Sequence, residues 1–155
     1  MMRRLAMLVV AAIAAVSLSA CSLPRVVPQV SVSTVSFQAA SDANQGYATR
    51  VDVVAVSTTA LVETLSKETA TNWFANKDQF LNANPGNVTV WSREVVPGRS
   101  APQVSLNYFG RLDYDAIFVF AEYLTPGDHR AMLGQFENPV VLLQAQNFTV
   151  SGGQS

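Results

Sequence analysis

The sequence predicts a mainly β domain, a two-sheet β-sandwich with a helical insertion after its second strand. Three observations predict it. Short β-branched runs recur along the chain with turn residues between them. A single stretch, residues 58–84, changes to helical spacing. Strands and helices do not alternate, which argues against a doubly wound parallel sheet.

The elements follow in order. Residues 30–37 alternate Val30 and Val32, then slip phase to Val35 and Phe37, a strand pattern with a bulge at the slip. Residues 39–48 (AASDANQGYA) form a polar loop. Residues 50–56 (RVDVVAV) are β-branched and mostly apolar, as in a well-buried strand. From Thr58 to about Asn84, the spacing of Leu61, Leu65, Ala70, Trp73, Phe74, Phe80 and Leu81 predicts one long helix or two short ones broken near residues 69–72. Asn84-Pro85-Gly86 ends this stretch.

Strands then resume. Val88, Val90 and Ser92 share a face, and the strand closes at Glu94-Val95-Val96-Pro97-Gly98. Residues 103–108 alternate Val104, Leu106 and Tyr108. Residues 115–124 (DAIFVFAEYL) are the most hydrophobic strand and belong mid-sheet. Thr125-Pro126-Gly127-Asp128 is a turn. Residues 129–136 read equally as a helical turn or an edge strand. Residues 140–145 and 148–150 form a last strand or hairpin, and 151–155 a flexible tail.

Ahead of this domain lies an address. Arg3 and Arg4 precede an apolar run from Leu5 to Val16, followed by small residues up to Ala20. That is the layout of a secretory signal peptide, and the run is too short for a membrane span of about 20 residues. Leu18-Ser19-Ala20-Cys21 resembles the bacterial lipobox, which implies cleavage after residue 20 and a diacylglycerol on the Cys21 thiol. Cys21 is the one cysteine of the chain, so it has no intramolecular disulfide partner. Several acyl chains hold a protein firmly, at about 0.8 kcal/mol per buried CH₂. Ser22 follows where an Asp commonly causes inner-membrane retention, which suggests the outer membrane with the domain in the periplasm. The expected organisation is therefore a signal peptide at 1–20, a lipidated tether at 21–29, a sandwich at 30–150 and the tail.

Composition narrows function. Without Arg3 and Arg4, the ten Lys and Arg become eight against eleven Asp and Glu, a net charge of −3. No basic stripe exists, so nucleic acid is not an expected partner. His129 is the single histidine and sits beside a turn, where a solvated role is expected. No G-x-S-x-G elbow, phosphate-cradling glycine loop or metal-ligand cluster is present; Asp113 and Asp115 read as charges flanking a strand. Glu94 reads as a surface or turn-bonding carboxylate. The expectation is a binding or scaffolding domain without catalytic residues, metal or cofactor.

The order of elements resembles the outer-membrane lipoprotein of the type VI secretion system, the VasD/TssJ family. The resemblance runs through Asn44-Gln45-Gly46, Arg50-Val51-Asp52-Val53-Val54, Trp73-Phe74, Glu94-Val95-Val96-Pro97-Gly98, Phe118-Val119-Phe120-Ala121 and the ending 140–150. It implies a transthyretin-like sandwich with added helices. It also implies a partner, the periplasmic part of an IcmF-type inner-membrane protein, and a role in fixing a secretion complex to the outer membrane. In that family the loop after the first strand contributes to partner binding, which here designates Asp42, Asn44, Gln45, Gly46 and Tyr47. This loop is shorter than the family's and lacks its Asn-Pro start. The alternative is an outer-membrane lipoprotein, unrelated to secretion, that binds a small ligand or peptidoglycan through Trp73 and Phe74.

Overall fold

The computed structural model describes residues 30, 32–106 and 114–152. The signal peptide, Cys21 and the tether, Tyr108, Asp113 and the end of the tail lie outside the described residues. Among the described residues the chain runs β1 (Thr34–Ala39), β2 (Thr49–Val56), α1 (Thr59–Leu65), α2 (Ala70–Ala83), β3 (Val88–Val95), β4 (Ser100–Ser105), β5 (Ala116–Glu122), β6 (Arg130–Met132), β7 (Val140–Leu143) and β8 (Phe148–Ser151).

Two four-stranded sheets form, in the orders β4-β1-β7-β8 and β3-β2-β5-β6. All neighbouring pairs are antiparallel except β1 with β7. The mainly β sandwich and the helical insertion after the second strand are as the sequence predicts.

The central strands of the second sheet, β2 and β5, are buried on both faces. Val51, Val53 and Ala55 of β2 and Ile117, Val119 and Ala121 of β5 face the first sheet, meeting Val35, Phe37, Val104, Val141 and Leu143. Val54 and Val56 of β2 and Ala116, Phe118 and Phe120 of β5 face the other way, under Leu61, Leu65, Ala70 and Trp73 of the helices. The molecule therefore has three layers and two cores. This is why β2 and β5 read as mostly apolar runs, whereas a sheet with one wet face alternates.

The helical stretch breaks in two. Thr58 caps α1 by accepting from Leu61 N, and Thr69 caps α2 by accepting from Asn72 N. The break lies at residues 66–69, where Ser66 Oγ donates to the Val62 carbonyl.

One polar side chain enters the helix-covered core. Asp52 has no exposed surface, and its Oδ2 accepts from Trp73 Nε1 at 2.9 Å and Lys77 Nζ at 3.1 Å. The Trp73 ring stacks on Phe120, with centroids 5.1 Å apart. Lys77 interrupts the apolar spacing of α2 and reaches inward to Asp52 and Ser92.

The structure corrects two sequence expectations and settles a third. The first strand starts at Thr34, and the phase slip at Val32 precedes it; the register irregularity is opposite Val35–Phe37, where β4 spends an extra residue beside Pro102. Such a bulge suits β4, an edge strand, because proline donates no ladder hydrogen bond. Within 129–136, which read equally as a helical turn or an edge strand, Arg130–Met132 forms the short edge strand β6. His129 is not a solvated turn residue: it is 6% exposed, stacked on Tyr123 at 4.7 Å between centroids.

Candidate functional site

The polar loop between β1 and β2 is organised around Asn44. Ala43–Gly46 make a tight turn in which Asn44 and Gln45 adopt left-handed backbone (φ 47° and 57°), a conformation asparagine tolerates better than most residues. The Asn44 side chain is buried at 2% exposure and points back into the molecule. Its Oδ1 accepts from Leu124 N at 2.8 Å, and its Nδ2 donates to the Glu122 and Ala48 carbonyls. The Asn44 backbone N–H donates to the Gln144 carbonyl. One residue thus ties its loop to the end of β5 and to the β7–β8 turn.

A second lock lies beside it. The Tyr123 hydroxyl donates to the Asn147 carbonyl at 2.7 Å and accepts from Gln144 N. Burial pushes this hydroxyl up to about 12, with the Gln144 N–H pulling the other way. Thr125 Oγ1 donates to the Gln146 carbonyl. His129 places Nε2 2.8 Å from the Thr125 carbonyl and Nδ1 3.2 Å from Asn147 Oδ1, an oxygen that also accepts from Phe148 N. Both ring nitrogens are committed to structural oxygens, so neither is presented to a substrate.

Between these locked loops opens a cleft of about 760 Å³ at one end of the sandwich. Tyr47 (64% exposed) and Leu124 (61%) flank it, two of the large apolar side chains most open to solvent among the described residues. Arg50, Glu94 and Glu122 line its outer side. Arg50 lies opposite Glu94 across β3 and opposite Glu122 across β5. It pairs with Glu122 at 2.7 Å and lies over the Phe74 ring at 4.5 Å.

The five loop positions singled out from sequence therefore divide. Asp42, Gln45, Gly46 and Tyr47 are exposed on the loop, and Gly46 has open space where a Cβ would sit. Asn44 faces inward. Leu124 and the Glu94–Arg50–Glu122 row were missed by sequence reading, since their shared place depends on strand pairing; Arg50, Asp52, Val54 and Val56 on one face of β2 was the available signal. Trp73 is 2% exposed beneath α2, and Phe74 is covered by Arg50, so these rings do not form an open platform for a ligand. Among the described residues no group of His, Cys, Asp and Glu could hold a metal ion.

Fold and site together define a β-sandwich with a helical layer on one sheet and a loop-walled cleft at one end. That fold is shared with solved structures from type VI secretion. The lipoprotein TssJ1 from Pseudomonas aeruginosa is 17% identical with a TM-score of 0.55, over 79% of this chain and 95% of that one. Lip from Serratia marcescens, described as a membrane bound component of the type VI secretion system, is 15% identical with a TM-score of 0.55, over 79% and 99%. A chain of a structure described as a type VI membrane complex is 14% identical with a TM-score of 0.59, over 77% and 98%. No protein-family model matches the sequence, and no curated protein matches it.

Proposed function

We propose that this chain is a lipid-anchored periplasmic subunit of a type VI secretion envelope complex, of the VasD/TssJ kind. Cys21 carries the lipid that holds it to the outer membrane. The opposite end of its function is the loop end of the sandwich, which binds the periplasmic part of an IcmF-type inner-membrane protein and so fixes the complex to the outer membrane. The observation that carries this reading is the fold shared along more than three quarters of the chain with type VI lipoproteins and with a chain of a type VI membrane complex.

The loop surface supports the partner assignment. Asp42, Gln45, Gly46 and Tyr47 are open to solvent, and Asn44 positions them from beneath. A loop pinned by buried hydrogen bonds loses little conformational entropy on binding, which favours affinity.

Two measurements test the proposal. Replacing Cys21→Ala should move the protein from the outer-membrane fraction to the soluble periplasmic fraction; unchanged recovery with outer membranes sinks the anchor. Affinity purification of the full chain from envelopes should bring down an IcmF-type protein; a clean preparation without it sinks the partner.

A further inference from the structure

The cleft beside the loop has a chemistry of its own. Its apolar flank is Tyr47 on one side and Leu124 on the other, both more than 60% exposed. Its outer side holds two carboxylates, Glu94 and Glu122, with one cation, Arg50, between them on β2. Arg50 is already engaged with Glu122 and with Phe74. Glu94 makes no ion pair among the described residues and is exposed. The cleft therefore carries surplus negative charge next to an exposed apolar pair. The loops that shape it are pre-set by Asn44 and Tyr123, so it exists before any partner arrives.

We infer that this cleft is the specificity-determining part of the docking surface, and that it takes a partner segment in which an apolar side chain stands next to a Lys or Arg. The apolar side chain seats between Tyr47 and Leu124, and the cation meets Glu94 and the outer edge of Glu122. The inference rests on the partner-binding reading above and extends it from the β1–β2 loop across to β3 and β5. Anchoring by a clamped apolar side chain supplies affinity, while the unpaired carboxylate rejects acidic segments and steers basic ones.

The test measures binding of the full mature chain to the purified periplasmic part of the IcmF-type protein from the same secretion system, at low and high salt. Glu94→Lys and Leu124→Ser should each weaken binding by roughly tenfold or more, and Glu94→Lys should also remove most of the salt dependence. Asn82→Lys, an exposed charge change on α2 away from the cleft, should bind as wild type. Unfolding midpoints serve as the folding control, since all three positions are on the surface or half exposed. If wild type binds and both cleft variants bind equally well at every salt concentration, the cleft assignment is overturned while the partner reading stands. If wild type itself does not bind, the partner reading falls and takes the cleft with it.

Discussion

The Asn44 side-chain oxygen accepts the Leu124 backbone N–H at 2.8 Å across 80 residues of sequence. The same side chain donates to the Glu122 carbonyl, so both sides of the peptide run that leaves β5 are held by one buried amide. The relationship decides what Asn44 is for. It is a positioning residue that ties the loop bearing Tyr47 to the end of β5 that bears Leu124.

Asn44→Ala should destabilise the domain by about 1–2 kcal/mol, because it removes the partner of the part-buried Leu124 N–H and loses a residue suited to the left-handed turn. Asn44→Gly restores the backbone freedom and should still lose most of that amount. Urea unfolding of the three proteins separates the two contributions; equal stability of Asn44→Gly and wild type would show that the side-chain bonds matter little.

Lys77→Met should cost about 3–5 kcal/mol, because it leaves the fully buried Asp52 carboxylate with the Trp73 N–H alone. Pairing it with Asp52→Leu removes the stranded charge, and the double variant should recover much of the loss. A double-mutant cycle by chemical denaturation reads the coupling; additive losses at the two positions would contradict it.

Stability should fall in alkali through Tyr123. Its folded-state hydroxyl is raised to about 12 from an ordinary 10.0, so its contribution is fully present below pH 10 and is lost as pH rises through 12. Within that window the loss runs at about 1.4 kcal/mol per pH unit. Tyr123→Phe should be about 1–2 kcal/mol less stable near neutrality and should lose this alkaline dependence. Unfolding free energies measured from pH 8 to 12 check both halves.

Gly127→Ala should destabilise by about 1–3 kcal/mol, since a Cβ there would lie 2.9 Å from two ring atoms of His129. The imidazole would have to leave its place on Tyr123. A histidine NMR signal unchanged between the two proteins would argue against the collision.

Much of the fold was legible in the chain because its physics is local. β-branched runs, the turns at Asn84-Pro85-Gly86 and Thr125-Pro126-Gly127-Asp128, and the helical spacing through Leu61, Leu65 and Trp73 each depend on near neighbours. Helical spacing alone does not choose between one helix and two, since Thr69 as a cap differs from Thr69 as a helical residue only in backbone conformation. The role of His129 was misread because burial at a turn depends on Tyr123 and Asn147, residues that arrive from two other strands' ends.

By itself the sequence determined the class of the domain and its expected address at Cys21, because alternation, helical period and the signal layout are written in consecutive residues. The tertiary structure alone decided which loop residues face outward. Asn44 turns inward because its partners at Glu122 and Leu124 lie nearly 80 positions away, and Arg50 stands between Glu94 and Glu122 only because β2 pairs with both β3 and β5. Hydrogen-bond satisfaction and strand register are long-range constraints, and they placed the cleft where no local pattern could.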